Sequence, residues 1–530
     1  MIAYILGNII RIEAALLAVP AFVSIWYQEV KAASAFVATI IACLMVGTVL
    51  VSREPENKRI YGREGFVVVA LSWIVMSVLG ALPFYLSGSI SGYVNCFFET
   101  VSGFTTTGAS ILQEIETLPK SIQFWRCFTH WIGGMGILVF MLAIMPLGDE
   151  RTMYLMKAEA PGPLVSKLVP KVKSTAKILY TIYIVLTLVE MILLFAGGMP
   201  FFDSVVHALS TAGTGGFSVK NSSIAEYNSA YFEYVITAFM LLFGVNFNLF
   251  YLMLMKDFKN VWKNEELRCY IAIVCIATAL ITIDISRYYS TVEGAFRHAF
   301  FQVAAIMSTT GFVTANFDLW PEFSKTLLYC LLILGACGGS TAGGIKVSRF
   351  VILLKMIRRE ISHIVHPRSV NLIKLDGYKV DEDSIRSVTG FIILYVLILL
   401  GSFMLVSLDN FDFITNVTAV TTCLSNVGPG LAMAGPVENL SFFSGFAKIV
   451  LCLDMLLGRL EIFPIIMLFA PSIWRKSYMY QRRAKHLQKK NSLHACMIGC
   501  SFYCRYLASA TTKKYEVFLR WALRCYMWVP

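Results

Sequence analysis

The chain has 530 residues, of which 57% are hydrophobic and 15% are charged, and its mean hydropathy is +0.67. This composition excludes a soluble globular protein of this length and predicts an all-α polytopic membrane protein. The formal net charge of +12 is concentrated at the end of the chain, where residues 475–530 hold twelve Lys and Arg against one acid, Glu516. A basic tail beside a membrane indicates attraction to anionic membrane lipid, and we do not expect nucleic acid as a partner.

Apolar stretches long enough to cross a bilayer recur along the chain. Basic residues crowd the loops at 52–64, 148–177, 256–268 and 346–386, whereas the opposite loops carry few cations. Because cytoplasmic loops are enriched in Lys and Arg, this alternation predicts a multi-pass protein of the cytoplasmic (inner) membrane with both termini in the cytoplasm. We predict about ten transmembrane helices, near residues 3–25, 34–52, 66–90, 123–147, 178–198, 231–255, 269–286, 325–353, 388–408 and 442–471.

Four short segments between these spans share one design, an amphipathic stretch too short to cross the membrane that ends in glycine among small or hydroxyl residues. A single segment of this kind indicates a loop helix with a glycine C-cap. Four of them, each flanked by two spans, indicate four pseudo-repeated units of helix, pore loop and helix around one pore. They read NCFFETVSGFTTTGAS (95–110), FFDSVVHALSTAGTGGFS (201–218), HAFFQVAAIMSTTGFVTANF (298–317) and FITNVTAVTTCLSNVGPGLA (413–432).

The repeats predict a division of the chain into six parts. A two-helix hairpin comes first, four repeats follow, of which the third has a broken second helix, and a basic cytoplasmic tail of unassigned role ends the chain. The predicted boundaries are 1–60 for the hairpin, 61–160, 161–265, 266–375 and 376–474 for repeats 1 to 4, and 475–530 for the tail.

The glycines of the four segments predict a selectivity filter. Non-helical backbone at membrane depth persists only where it is buried in protein or lines an aqueous cavity, and glycine reaches backbone angles that other residues avoid. Four such strands around one axis would present a ring of carbonyl oxygens that replaces the hydration shell of an alkali cation. We align the segments on Thr107-Gly108, Thr214-Gly215, Thr310-Gly311 and Val427-Gly428. The predicted filter residues are Thr106, Thr107, Gly108, Thr214, Gly215, Thr309, Thr310, Gly311, Asn426, Val427 and Gly428.

The motifs SGFTTTGAS, HALSTAGTGGFS, STTGF, SNVGPGL, GGSTAGGIKV and GRLEIFP, in this order, resemble those of the Trk, Ktr and HKT superfamily of potassium transporters, and within it the TrkH-type pore subunits. The resemblance implies potassium as the transported substrate, bound at the filter residues, and no organic cofactor in this chain. It also implies a homodimer with one pore in each subunit and a cytoplasmic ring of TrkA-type nucleotide-binding subunits that controls opening. Members with serine at the first filter glycine tend toward sodium, so glycine at all four positions favours potassium.

Five glycines interrupt the second span of the third repeat, in LGACGGSTAGGIKVSRF (334–350). Each mid-helix glycine costs about 1 kcal/mol relative to alanine, so the sequence weakens a helix below the predicted filter. One interpretation is an irregular gate loop across the permeation path, and the other is close helix packing through small residues. The resemblance favours the gate, because family members carry an intramembrane loop here. The predicted gate residues are Gly338, Gly339, Ser340, Thr341, Ala342, Gly343, Gly344, Lys346 and Arg459.

Two cations accompany this segment. Lys346 could offset carbonyls freed by the broken helix or snorkel to the cytoplasmic surface, and the sequence leaves both interpretations open. Arg459 lies in the middle of the last predicted span. We predict that it reaches the pore and hydrogen-bonds the carbonyls of residues 338–344, and the alternative is an ion pair with Asp454 or Glu190.

The remaining polar residues have more ordinary interpretations. Glu99 would brace the filter from behind or lend it negative potential. Asp203, Asp318 and Asp412 would concentrate cations at the entrance, although Asp203 and Asp412 also precede helices, where N-capping is the usual role. His207 is interpreted as a hydrogen-bonded packing residue.

Potassium-selective, channel-like uptake is the predicted function, and an ion-coupled secondary transporter that moves potassium with sodium or protons is the alternative. We do not expect an enzyme, because HExxH and GxSxG motifs are absent and GGSTAGGIKV lacks the P-loop form. Nucleotide control therefore requires a partner, for which the basic loop 346–386 is the predicted docking surface, with a lipid-facing loop as the alternative. In the tail, Cys496, Cys500 and Cys504 lie at i, i+4 and i+8 with His494 nearby, and this helical spacing favours an appendage over a zinc site.

Overall fold

The computed structural model describes residues 2–52, 62–136, 172–369 and 371–471. Residues 1–469 form one compact unit, and a second unit covers 470–530, of which only 470 and 471 are described. The predicted tail and its candidate residues His494, Cys496, Cys500 and Cys504 therefore lie outside the described residues. Within the described ranges the chain is mostly helical, which confirms the predicted fold class.

Two antiparallel helices, Ile2–Trp26 and Val30–Val51, open the chain. Their side chains are apolar around most of the circumference, as expected for membrane helices. Small residues allow the two backbones to approach closely, since a Cβ on Gly7 would lie 2.9 Å from the carbonyl oxygen of Gly47. This pair is the predicted hairpin.

The four repeats follow one order of elements. An outer helix comes first, a short pore helix follows, and an inner helix ends the repeat. Outer helices 1 to 4 are Gly62–Gly80, Val172–Ala196, Glu265–Ile285 and Glu382–Val406. The short helix Leu82–Leu86 continues outer helix 1. Pore helices 1 to 4 are Tyr93–Phe104, Phe201–Gly213, Val292–Met307 and Phe413–Ser425. Inner helices 1 to 4 begin with Lys120–Gly134, Ala230–Phe243, Glu322–Ile333 and Gly445–Arg459.

Shorter elements connect the repeats. Helix Phe258–Lys263 precedes outer helix 3, and an antiparallel hairpin of strands Lys374–Leu375 and Tyr378–Lys379 precedes outer helix 4. Inner helices 2, 3 and 4 resume after their breaks as Phe247–Leu254, Val347–Val365 and Phe463–Phe469. Single 3-10 turns lie at Ser223–Tyr227, Phe317–Leu319, Ser407–Asp409, Ala432–Ala434 and Leu440–Phe442.

Six of the described helices are long and apolar enough to cross a membrane, or seven if the bent inner helix 2 counts as one span. The other predicted spans coincide with inner helices 1, 3 and 4, which are short or broken. Each pore helix packs against the inner helix of the preceding repeat, and pore helix 1 packs against inner helix 4. The repeats are therefore arranged in a closed cycle.

Inner helix 2 differs from the prediction of one span over residues 231–255. The chain bends by 93° between Phe243 and Phe247. Gly244 lies at this bend, and only glycine fits there because a Cβ would lie 2.6 Å from the Tyr270 hydroxyl oxygen. Asn246 then caps the next helix through its side chain, which accepts from the Asn248 N–H at 3.0 Å. The sequence analysis missed this second discontinuity.

Inner helix 4 also ends earlier than the predicted span 442–471. The helix stops at Arg459, and both Glu461 and Ile462 adopt left-handed conformations with φ of 54° and 69°. A β-branched residue is strained in this region and persists only where its surroundings enforce it. Arg459 therefore lies at a helix end, and its position in the middle of a helix was wrongly predicted.

Candidate functional site

All four pore helices end in the same backbone turn. The last residue of the turn is left-handed and is not glycine, with φ of 55° at Thr106 and Thr214, 57° at Thr309 and 56° at Asn426. The next N–H donates to the carbonyl oxygen five residues earlier, which is the Schellman pattern. These bonds are Thr107 to Ser102 (2.9 Å), Gly215 to Ser210 (3.0 Å), Thr310 to Ala305 (2.8 Å) and Val427 to Thr422 (3.0 Å).

In every repeat a glycine with positive φ lies two residues after the left-handed residue. These glycines are Gly108 (φ 79°), Gly216 (80°), Gly311 (77°) and Gly428 (103°). The equivalent of Gly108 in repeat 2 is therefore Gly216. The predicted alignment on Thr214-Gly215 is wrong by one residue, since Gly215 corresponds to Thr107, Thr310 and Val427.

The four strands that begin at these turns close into a ring. A Cβ on Gly108 would collide with the carbonyl oxygen of Gly215, and one on Gly216 with that of Thr310. The same holds for Gly311 against the carbonyl oxygen of Val427, and Gly428 would place a Cβ 2.7 Å from that of Thr107. Each glycine thus faces the peptide oxygen before the glycine of the next repeat, and repeat 4 returns to repeat 1.

Of the side-chain oxygens near this ring, some are hydrogen-bonded and others have no partner within the described chain. The Thr107 hydroxyl lies 2.8 Å from that of Thr105 and accepts from Asn426 Nδ2 at 3.0 Å. Thr106 Oγ1 and Asn426 Oδ1 are buried and have no hydrogen-bond partner within the described chain. Because buried polar atoms are normally paired, these two oxygens indicate a place for water or a cation.

Glu99, in pore helix 1, is joined to Arg126 in a fully buried ion pair. Arg126 Nε donates to Glu99 Oε1 at 2.7 Å, and the two side chains are 1% and 0% exposed. Glu99 also accepts from the Ser110 hydroxyl (3.0 Å) and the Ile111 N–H (3.2 Å), while Arg126 Nη1 donates to the Ser218 carbonyl (3.3 Å). The pair ties the strand of repeat 1 to that of repeat 2, which agrees with the bracing interpretation; the sequence analysis missed Arg126.

The entrance acids have specific hydrogen-bond partners. Asp412 caps pore helix 4, because its side chain accepts from the N–H three residues on at 2.9 Å. Asp203 instead lies inside the first turn of pore helix 2 and accepts from the Tyr227 hydroxyl at 2.7 Å, so its predicted N-cap role is wrong. Asp318 accepts from the Ala432 N–H at 3.2 Å.

His207 is a packing residue, as interpreted. Its ring is fully buried, with Nδ1 lying 2.7 Å from the Asp203 carbonyl oxygen and Nε2 lying 3.0 Å from the Ser218 hydroxyl. Both ring nitrogens therefore have partners inside the protein.

The glycine-rich segment forms an irregular loop rather than a packed helix. Residues 334–346, hereafter called the gate loop after their predicted role, interrupt inner helix 3. The Gly335 N–H donates to the Ile345 carbonyl at 2.7 Å, which folds the segment back on itself. The Gly343 N–H donates to the Thr309 hydroxyl at 2.7 Å. The loop therefore contacts Thr309, the left-handed residue of repeat 3, directly.

Neighbouring elements hold the gate loop at both ends. Glu266, near the start of outer helix 3, accepts from the Gly338 N–H at 2.7 Å and from the Ser348 N–H at 2.9 Å through the same oxygen. The bent inner helix 2 adds backbone bonds, since the Cys337 N–H donates to the Gly244 carbonyl at 3.0 Å. The sequence analysis missed Glu266, because acids are common in the first turn of a helix and none of them stands out by sequence alone.

Lys346 and Arg459 both donate to carbonyl oxygens. Lys346 is 8% exposed, and its ammonium contacts the carbonyls of Ala342 and Gly343, so it does not snorkel to a surface. Arg459 Nη1 donates to the Thr341 carbonyl at 2.6 Å, which is the contact that the sequence predicts. Its Nη2 donates to the carbonyls of Gly133 and Gly134 at 2.6 and 2.7 Å. Arg459 thus joins the gate loop to the end of inner helix 1.

Comparisons with known proteins agree with this architecture. A family model described as "TrkH: Cation transport protein" matches residues 32–476. Similar proteins include the Trk system potassium uptake protein TrkH of Salmonella typhimurium, 35% identical over 90% of this chain and 99% of the relative. The TrkH protein of Halomonas elongata is 34% identical, with coverage of 90% and 99%. The crystal structure of the potassium transporter TrkH from Vibrio parahaemolyticus superimposes with a TM-score of 0.81 at 31% identity, over 89% of this chain and 99% of that one. The chain therefore belongs to the TrkH family of cation transport proteins.

Proposed function

We propose that this chain is the pore subunit of a Trk-type system and carries out potassium-selective, channel-like uptake. The observation that carries the proposal is the closed ring, in which each positive-φ glycine faces the peptide oxygen of the next repeat. Four strands with equivalent backbone geometry supply the carbonyl ring that replaces the water shell of a potassium ion. The similar proteins are themselves called potassium uptake proteins.

The ion crosses passively in this proposal. With an inside-negative membrane, each monovalent cation that enters gains about 2.3 kcal/mol per 100 mV. No chemical step in this chain is needed, and potassium is its substrate rather than a resident cofactor.

The gate loop controls passage below the filter. Its contact with Thr309 and its bonds to Arg459 support a closed arrangement, in which the guanidinium also repels cations from the path. Opening requires that the loop lose the bonds that join it to inner helices 1 and 4.

The protein acts as a homodimer in the inner membrane, with both termini in the cytoplasm and a TrkA-type nucleotide-binding ring docked on residues 346–386. Supporting this orientation, the gate loop leads directly into the basic segment that begins at Lys346. The six-part division of the chain, from the hairpin 1–60 to the tail 475–530, is part of the same proposal.

Ion flux from purified protein in liposomes tests the filter. We expect a reversal potential that follows potassium and not sodium, and a lower preference for potassium in Gly108→Ser and Gly311→Ser. Gly401→Ser is the matched control, because a Cβ there meets no atom within 4 Å. All variants are compared only after gel filtration shows the same monodisperse species.

Two results would contradict the proposal. Unchanged selectivity in both filter variants would remove the glycine ring from ion choice. Reversal potentials that depend on sodium or proton gradients together with potassium would favour the ion-coupled transporter.

A further inference from the structure

A basic cleft lies between the helix Val347–Val365 and the hairpin that pairs Lys374 with Lys379. Its volume is about 420 Å³. The residues that give the cleft its chemistry are four cations and two neutral hydrogen-bonding side chains, and the cleft lining contains no acid. They are Lys355, Arg358, Arg359, Lys374, Ser362 and Asn371.

The four cations differ in how far they are neutralised. Lys355 forms an ion pair with Glu265, and Arg359 forms ion pairs with Glu360 and Glu382. Arg358 and Lys374 are exposed and have no carboxylate partner among the residues that the structure describes. One guanidinium and one ammonium are thus available to an incoming anion.

The neutral groups of the cleft are also arranged as donors. Asn371 Nδ2 donates to the Ser362 hydroxyl oxygen at 2.8 Å, which leaves the hydroxyl hydrogen free to point into the cleft. A guanidinium, an ammonium and a hydroxyl form a donor set that matches the several acceptor oxygens of a phosphate group. A carboxylate has fewer acceptor oxygens with which to use the same set.

The wall of the cleft is fixed by packing. Ile373, Leu375 and Val380 of the hairpin segment are 5%, 2% and 3% exposed and belong to the same apolar core as Val351 and Ile352 of the opposite wall. The cleft is therefore preformed, which lowers the entropy lost when a ligand binds.

The cleft is connected to outer helix 3. The Lys355 ammonium bonds both Glu265 and the Lys374 carbonyl, the latter at 2.7 Å. At the hairpin turn, Asp376 accepts from the Glu265 N–H at 2.7 Å and from Asn264 Nδ2 at 2.8 Å. The hairpin and Lys355 thus both form hydrogen bonds to the start of outer helix 3, at Asn264 and Glu265.

The next residue along that helix is Glu266, which holds the gate loop through the Gly338 and Ser348 N–H groups. Only one peptide unit separates Glu265, whose carboxylate pairs with Lys355, from Glu266, whose carboxylate holds the loop. A phosphate that draws Lys355 away from Glu265 would therefore act on the residue that neighbours the loop's anchor.

We propose that this basic cleft binds a phosphate group, carried by a lipid headgroup or by a soluble phosphate compound, and that its occupancy biases the gate loop through Lys355, Glu265 and Glu266. The binding step does not depend on potassium conduction, and the cleft lies within residues 346–386, the docking surface that the proposed function assigns to the nucleotide-binding ring. The effect on the gate loop rests on that function.

Binding is measured on the purified full-length chain with two probes. In one arm phosphatidylglycerol is titrated and followed by native mass spectrometry; in the other, inorganic phosphate is titrated by calorimetry. The test variant is Arg358→Gln with Lys374→Gln, and the control is Lys259→Gln with Arg268→Gln, which removes two exposed cations outside the cleft. The test variant is expected to bind at least one probe about thirty-fold more weakly than wild type, and the control as wild type does.

The two arms identify the source of the phosphate. Binding in the lipid arm alone supports a headgroup, and binding of inorganic phosphate supports a soluble compound. The proposal is overturned if wild type binds neither probe, or if the test and control variants lose affinity equally.

The connection to the gate is tested by flux in the same protein. Asp376→Asn should keep the wild-type affinity for the bound probe, whereas the change in potassium flux that the probe causes in wild type should be lost. If a saturating concentration of the probe does not change the potassium flux of the wild type, the proposed link between the cleft and the gate loop is overturned. Absence of any potassium flux would count against the proposed function and leave the binding result intact.

Discussion

Lys346, which is buried, and Arg459, which is partly buried, show how cations are accommodated beside broken helices. Each broken helix leaves carbonyl oxygens without intrahelical partners, and these oxygens provide the acceptors that a buried ammonium or guanidinium needs. Lys346 satisfies the carbonyls of its own loop, whereas Arg459 reaches three carbonyls on two other elements. Arginine suits the second task because its fork presents donors in fixed directions.

Arg459→Ala removes these bonds and a positive charge from the gate. Hydrogen bonds to charged groups contribute about 1.5–3 kcal/mol each, so loss of even one should shift the loop toward open by roughly ten-fold. We therefore expect higher potassium flux per protein in liposomes.

The control is Arg287→Ala, an exposed cation away from the gate loop, which should leave flux unchanged. Equal or lower flux in Arg459→Ala at the same amount of folded protein would remove this residue from the gate.

At the scale of an element, the ends of the pore helices carry the most information. Three repeats place threonine and one places asparagine in a left-handed conformation, and a glycine with positive φ always follows two residues later. Repeat 2 reads Thr-Gly-Gly, so alignment on Thr-Gly selects Gly215. The Gly-Phe pairs at 216–217 and 311–312 were the signal that gives the correct register.

The corrected register predicts different effects for substitutions at Gly215 and at Gly216. A Cβ on Gly215 would collide with the His130 ring, whereas a Cβ on Gly216 would collide with the Thr310 backbone. Gly215→Ala should therefore lose flux. Adding His130→Ala should restore part of the flux, because removal of the imidazole ring makes room for the new methyl group.

Gly216→Ala should lose flux and stay inactive with His130→Ala, since its obstacle is a peptide carbonyl and its φ of 80° disfavours a side chain. Potassium flux normalised to folded protein measures both pairs. Rescue of Gly216→Ala would contradict the register that we assign.

On the scale of the whole molecule, the closed cycle of repeats makes one chain into a complete pore. The match to the family ends at residue 476, and the chain covers 99% of the length of the relatives cited, so the last 54 residues are additional to the family fold. The last described helix that packs into the core, Phe463–Phe469, lies before residue 476 and contacts outer helix 1.

Truncation after Trp474 should therefore leave the folded protein and its potassium flux intact. A second truncation after Glu461 removes Phe463–Phe469 and should abolish the folded species, because outer helix 1 then loses an apolar neighbour. Gel filtration and liposome flux measure both, and loss of the folded species on removal of residues 475–530 alone would show that the tail stabilises the pore unit.

The sequence by itself determined the membrane class, the four repeats and the unwound segment, because hydropathy over a span and glycine at a helix interior act locally. The contact of Arg459 with the loop was one of two interpretations that the sequence offered, and the structure shows it. Only the tertiary structure decided the register of repeat 2, the bend at Gly244, the end of inner helix 4 at Arg459 and the partners Arg126 and Glu266. Each of these depends on atoms that are distant in the chain, such as the Thr310 carbonyl that excludes a side chain at Gly216. Residues far apart in sequence meet only when the cycle of repeats closes, and no local pattern encodes that contact.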